Sequence, residues 1–387
     1  MGGPETRAPA ASERTSLWTL AALFGRMGAT TFGGPAAHIA LLRTEAVERR
    51  RWLTDATFLD LLGATNLIPG PNSTEMVMHV GWVRRGLPGL VVAGLAFIGP
   101  AALITGLLAW AYVEHGSRPE AGWLLYGVKP VMLAVVLHAL RAMAPKAAPT
   151  GRLRVLGLAA AGAVLLGVDE IATLIACGLA AVVAARVTAP AGALPLLGLA
   201  TAGPAIAAAA PTALGLFGLF VKIGAVLYGS GYVLLSFLRA DFVERTGWLS
   251  EAQLLDAIAI GQVTPGPVFT TATFIGYLLA GAAGATWATV GIFLPAFVFV
   301  ALSGPLIPRL RRSAVASACL DGVNVASLAL MTVVTAQLGR AALVDAPTIA
   351  LSLAALAGLL FTAINPTWFI AGGALVGLGL HLAGLST

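Results

Sequence analysis

Two short runs carry the residue types best suited to chemistry. Pro69-Gly70-Pro71-Asn72-Ser73-Thr74 and Pro265-Gly266-Pro267-Val268-Phe269-Thr270-Thr271 each interrupt an otherwise apolar stretch. Proline breaks a helix by removing a backbone donor, and Asn72, Ser73 and Thr74 are good helix starters. A helix start offers unpaired N–H groups and the positive end of the macrodipole. These runs therefore predict an anion site built without formal charge. Asn66 and Gln262, three residues before each break, could add side-chain donors. The second copy keeps the turn and the hydroxyls of Thr270 and Thr271 but lacks the Asn-Ser pair. A plain structural kink is the competing reading, and two copies flanked by polar residues argue against it.

Arg26 and Lys222 stand near the middle of apolar segments, where a cation costs about 3 kcal/mol on insertion scales. Snorkelling to an interface is the alternative. Placed at related positions, the two are expected to converge where the halves of the chain meet and to suit a doubly charged anion. Lys129, just before Pro130, is a weaker candidate. Gly33 and Gly34 in Phe32-Gly33-Gly34-Pro35, and Gly229 in Tyr228-Gly229-Ser230-Gly231, would let backbone approach a ligand or a partner helix closely. His38, beside the first of these runs, reads as structural. Glu75 is a membrane carboxylate, a candidate for proton coupling and equally a salt-bridge partner for Arg26. Asp60 and Asp256 are expected to pair with arginines of the preceding loops, while His79, His115, His138 and His381 form no readable cluster. Cys177 and Cys319 each sit alone, so no metal site is expected. Nucleophile, zinc and P-loop signatures are absent from the sequence. The expectation is a non-enzyme without cofactor, energised by an ion gradient.

The elements that must position these residues are membrane helices. Hydrophobic types make up 58% of the 387 residues and charged types 10%, against about 25% charged in soluble domains; mean hydropathy is +0.90. That excludes a soluble enzyme and an ordinary nucleic-acid binder. The 46 glycines fit close helix packing.

The chain is duplicated. Residues 24–71 align with 220–267 without a gap, with 17 identities in 48 positions. Phe24, Gly28, Arg43, Glu48-Arg49, Trp52-Leu53, Asp60 and Pro69-Gly70-Pro71 all find their counterparts. The reading is a polar tail over 1–16, a first repeat over 17–187, a linker over 188–211 and a second repeat over 212–387. Apolar segments lie near 17–42, 57–82, 88–112, 123–143, 153–168 and 171–187, and again near 212–238, 253–280, 283–302, 313–338, 348–363 and 366–383.

Segments 57–82 and 253–280, broken at Pro-Gly-Pro, are either broken spans or re-entrant hairpins. With both re-entrant, 14 of the 23 Lys and Arg fall on the side of loop 43–51 and six on the other; with both spanning, the split is 10 against 10. The positive-inside rule favours hairpins. Each half then has about five spanning helices plus a hairpin, and the odd number inverts the halves. The expected fold is an all-α polytopic membrane protein built of two inverted repeats, the build of secondary transporters.

Phe32-Gly33-Gly34-Pro35, the Glu-Arg-x-x-Trp-Leu run at 48–53 and the repeated Pro-Gly-Pro together resemble the chromate ion transporter family in its long, two-domain form, over about 17–383. The resemblance implies chromate export across the bacterial inner membrane on an ion gradient, with chromate resistance as the outcome. Sulfate or another oxyanion is the alternative substrate, since chromate mimics sulfate in size and charge, and a passive anion channel is the alternative mechanism. The expected partners are a small oxyanion and the lipid bilayer, without nucleic acid; a homodimer of the whole chain is compatible. The second half departs from the family pattern at Tyr228-Gly229-Ser230-Gly231.

Overall fold

The computed structural model describes residues 15–115, 119–186, 210–228, 233–311, 313–362 and 364–383. Most of the 188–211 linker, nearly all of the polar tail, and Gly229 lie outside the described residues. Fourteen α-helices are described. The first half runs α1 (Leu17–Thr30), α2 (Gly34–Arg43), a π-helical turn (Thr44–Arg49), α3 (Asp55–Thr65), α4 (Asn72–His115), α5 (Pro119–Ala147), α6 (Gly151–Leu165) and α7 (Glu170–Arg186). The second runs α8 (Ala213–Val226), α9 (Leu234–Leu238), a π-helical turn (Arg239–Arg245), α10 (Glu251–Val263), a 3₁₀ turn (Val268–Thr270), α11 (Thr271–Arg311), α12 (Ala314–Ala342), α13 (Ala346–Phe361) and α14 (Pro366–Leu382).

Four helical stretches, Asn72–His115, Gly122–Ala147, Val268–Ser303 and Ala314–Ala342, are long and apolar enough to cross a membrane. Together with the family described below, they make this a multi-pass membrane protein. The other apolar segments are shorter than expected. Segment 17–42 is two helices of 14 and 10 residues, and 14 residues reach only about 21 Å at 1.5 Å per residue. The cause is Thr31–Gly33, where Gly33 takes φ 104° and Gly34 φ 72°, a left-handed region open to glycine.

The long helices are also folded. In α4 the backbone leaves helical geometry at Arg85 (φ −144°) and Gly86 (φ 61°), and in α11 at Ala280 (φ −147°) and Gly281 (φ 59°). Past each kink the chain returns along itself. Gly81 lies against Gly89 and Ala93, and Gly94 against Met78; Gly276 lies in the same way against Gly284 and Ala288. These corners show that the ungapped register of 196 ends soon after the prolines. Gly86 and Gly281 are 195 apart, so the second half is one residue shorter before its kink. Arg84-Arg85 therefore corresponds to Leu279-Ala280.

The halves are interlaced. Within each, the first helix packs on the long kinked one, α1 on α4 and α8 on α11, and α4 packs on α11 across the centre. The later helices cross over: α5 packs on α13 and α14 of the other half, and α12 on α6 and α7. Glycine permits the closest crossings. A Cβ on Gly28 would fall onto the carbonyl of Phe97 and one on Gly224 onto that of Ile292, whereas a Cβ on Gly25 would sit 3.7 Å from the Ala96 carbonyl. Gly28→Val is expected to destabilise by about 3 kcal/mol or more, since the clash is with backbone, and to lower the thermal midpoint of the purified protein in detergent. Gly25→Ala should leave that midpoint within a degree or two; equal losses from both would remove the claim of a backbone-limited crossing.

Candidate functional site

The two Pro-Gly-Pro tips are held by each other's half. The Gly70 N–H donates to the carbonyl of Leu227, the last residue before the break of the second half (2.8 Å). The Gly266 N–H donates to the carbonyl of Thr31, at the break of the first half (2.9 Å). Both glycines have positive φ, 140° and 88°. The donors and acceptors at these four positions are what the prolines and the broken first helices release from helical pairing.

Between the tips lies a cavity of about 410 Å³, within the size range of small-ligand sites. Asn66, Pro71, Asn72 and Ser73 line it from the first tip, and Pro267, Val268 and Phe269 from the second. Pro35 and Ile39 of α2, Met143 and Lys146 of α5, and Asn324 and Ser327 of α12 complete the wall. Helix α4 begins at Asn72, so its first N–H groups, which no residue of the helix can accept, face this wall. Thr74 and Glu75 N–H groups already bond the Pro71 carbonyl, leaving Asn72 and Ser73 as the backbone donors. The Asn72 amide donates to Asn66 Oδ1 at 2.8 Å across the break. Lys146 supplies the positive charge. The cavity can therefore hold a small anion between a helix start, side-chain amide donors and one ammonium.

His38 ties this wall to the break. Its Nε2 lies 3.1 Å from the Thr31 carbonyl, which also receives Gly266, and its Nδ1 lies 3.4 Å from Ser73 Oγ. Thr31 offers only an acceptor, so Nε2 carries the proton and Nδ1 accepts from Ser73. The ring is buried edge-on against Phe97.

The predicted site residues divide. Asn66, Pro71, Asn72, Ser73 and Pro267 come together around the cavity. Pro69, Gly70, Pro265 and Gly266 shape the tips. Gly33 and Gly34 make the first break, where Asn365 of α14 donates to the Phe32 carbonyl, so a partner helix covers this backbone. The hydroxyls of Thr270 and Thr271 are spent locally, donating to the carbonyls of Pro267 and Val268, and Thr105 donates to Thr270 Oγ1. They close the helix start and do not face the cavity, contrary to expectation. Thr74 Oγ1 and Gln262 Nε2 are buried without a hydrogen-bond partner.

Arg26 and Lys222 do not line the cavity. Each is neutralised in its own half, Arg26 by Glu45 at 2.9 Å and Lys222 by Asp241 at 2.6 Å. Burial pushes the Glu45 carboxyl up, and hydrogen bonds from Arg49 and Arg50 with the Arg26 charge outweigh it, leaving Glu45 below the usual range. Asp241 also receives Arg245, which reaches on to Asp169 and Glu170 at the start of α7. The cause is the π-helical turn that follows each broken helix and carries the acid back beside the cation. The signal was present: Glu45 and Asp241 are themselves 196 apart.

Glu75 does not meet Arg26 either. Its carboxyl is fully buried beneath Gly70, and neither oxygen has a hydrogen-bond partner. One turn further on, His79 is buried with Nε2 unpartnered. That pair was missed in the sequence, although an i, i+4 spacing after a helix start puts both on one face. Asp256 meets no loop arginine; Lys129 and Tyr112 take it instead.

Comparison with known proteins follows the same outline. The chromate transporter family model matches residues 18–185 and 214–378, one stretch in each half. The chromate transport protein of Cupriavidus metallidurans is 31% identical over 389 aligned residues, covering 97% of this chain and 96% of the relative. That of Pseudomonas aeruginosa is 32% identical over 88% of this chain and 86% of its own. A probable chromate transport protein of Synechococcus elongatus is 30% identical over 88% and 89%. No solved structure matches the chain. With both halves matched and relatives aligned almost end to end, the chain belongs to the chromate transporter family.

Proposed function

We propose that this protein is a secondary transporter that exports chromate across the bacterial inner membrane, binding it in the cavity between the two tips. The observation that carries this reading is that cavity: a helix start, Asn66, Asn72 and Ser73 on one side and Lys146 on another. Neutral donors aimed at a tetrahedral dianion, with only one full charge, let it bind and leave again. Gln262 and Thr74, whose buried polar atoms lack partners, stand in reserve behind each tip. Arg26 and Lys222 act indirectly in this reading, holding the broken first helices through Glu45 and Asp241. Both tips are read as re-entrant hairpins. The close approach of Gly261 to Thr271 across the second break and the uneven distribution of Lys and Arg support this, and with it the inversion of the halves.

Glu75 is the coupling group. A buried carboxylate without a partner is costly as an ion, so its charge is tied to whether a proton or a passing cation is present. It sits directly beneath the tip that lines the cavity, and His79 continues the same helix face. Sulfate shares the charge and shape of chromate, and the donors named here would accept either.

Chromate uptake into inside-out vesicles tests the reading, with and without a pH gradient and with sulfate as competitor. Accumulation that follows the gradient is the expected result. Equilibration without accumulation would make the protein a channel, and no chromate movement with intact protein would remove chromate as substrate. Lys146→Gln and Asn72→Ala should each raise KM by about tenfold, the equivalent of one charge-assisted or buried hydrogen bond, with little change in protein yield. An unchanged KM in both would move the site elsewhere. Glu75→Gln should leave chromate exchange across the membrane in place and abolish its response to the pH gradient; a Gln variant that still concentrates chromate would sink the coupling role.

A further inference from the structure

The duplicated halves are not in the same conformation. Arms α3 and α10 are equivalents at a spacing of 196, yet they are packed differently. Helix α10 is enclosed by α4, α5, α11, α12 and α14, whereas α3 packs chiefly on α4. Leu59 is 62% exposed and its counterpart Leu255 only 3%. Asp60 is exposed and its counterpart Asp256 is buried. The preceding helices differ in the same sense: all of α9 is buried, but only Gly34, His38 and Leu42 of α2 are.

Beside the apolar packing of Leu254, Leu255 and Ile258, one polar cluster ties the enclosed arm to the first half. Asp256 accepts a hydrogen bond from Tyr112 at 2.8 Å, and the Lys129 ammonium lies 3.0 Å from its other oxygen, as an ion pair without hydrogen-bond alignment. Tyr112 is on α4 and Lys129 on α5, so the cluster pins an arm of the second half to two helices of the first. The equivalent of Lys129 on α12 is Asn324, which lines the cavity. The face that α10 occupies against α5 thus has a counterpart on α12 that α3 does not occupy.

Resting on the transport reading above, we propose that Lys129, Asp256 and Tyr112 form the latch of a two-state gate. The structure is one of its states, and in the other α10 is released while α3 closes on α12, bringing Asp60 to Asn324. The two states exchange the conformations of the halves and so expose the cavity on alternate sides. Only one latch carries a charge pair. Asparagine in place of lysine gives the second latch a hydrogen bond where the first has an ion pair, and this sets the state shown as the resting one. Lys129, Asp256 and Tyr112 are positioning residues, acting on chromate through the arm they hold.

Distances between spin labels test this in the full-length protein in lipid, without chromate. Cys177 and Cys319 are first replaced by serine. One label pair joins α3 to α12, at Leu59 and Thr332; the other joins α10 to α5, at Ala252 and Leu137. Lys129→Gln should add a longer component to the α10–α5 distance and a shorter one to the α3–α12 distance. Asn324→Lys should enrich the shorter α3–α12 distance with the first latch intact. The charge swap Lys129→Asp with Asp256→Lys should restore the parental distributions, which a merely destabilised protein would not do. Both distances unchanged in Lys129→Gln and in Asn324→Lys would overturn the latch, as would a swap that fails to restore. Since these readings need no substrate, a protein that switches but does not move chromate would keep the latch and lose the substrate assignment.

Discussion

Two backbone hydrogen bonds organise this protein. Each joins the tip of one half to the broken helix of the other: Gly70 to Leu227 and Gly266 to Thr31. At membrane depth a backbone donor or acceptor without a partner costs several kcal/mol. Where a chain breaks its helices, the freed backbone groups need partners elsewhere. Here the breaks satisfy one another. The rest follows from bringing the tips that close. The tips need glycine because their φ angles are positive. The first helices must cross the long ones at Gly28 and Gly224, where no side chain fits. What remains between the tips is the cavity.

The same economy governs charge. The chain has few ionisable groups, and those inside it occur as compact sets. Glu45 gathers Arg26, Arg49 and Arg50, and Asp241 gathers Lys222 and Arg245. Only the two acids are buried; their cations stay a third to two-thirds exposed, so each acid depends on its set more than any one cation does. Glu75 stands outside this pattern, and that exception singles it out.

Much of the architecture was legible in the sequence because it rests on local chemistry. Pro-Gly-Pro can only break a helix, Gly33-Gly34 can only open a turn cheaply, and the match of Trp52 with Trp248 or Arg43 with Arg239 is not an apolar accident. What escaped was tertiary. Arg26 and Lys222 looked like substrate ligands because their partners lie 19 residues on, brought back by a π-helical turn that has no local sequence signature. Lys146 looked like a loop residue until the end of α5 was placed at the cavity. The one-residue offset at Gly86 and Gly281 was hidden because an ungapped match through the prolines gave no reason to look for it. The threonines after the second Pro-Gly-Pro have the right type for a ligand site, but their hydroxyls close their own turn.

The crossed packing of α5 with α13 and α14, and of α12 with α6 and α7, bears on how the chain is made. Synthesis delivers the first half whole before α12 exists, so α5, α6 and α7 are made before the surfaces they pack on. Helix α12 begins only at Ala314, well after α7 ends at Arg186, and α13 and α14 follow later still, so the first half cannot complete its packing alone. The packing of the first half is in this sense completed only when α12, α13 and α14 are in place.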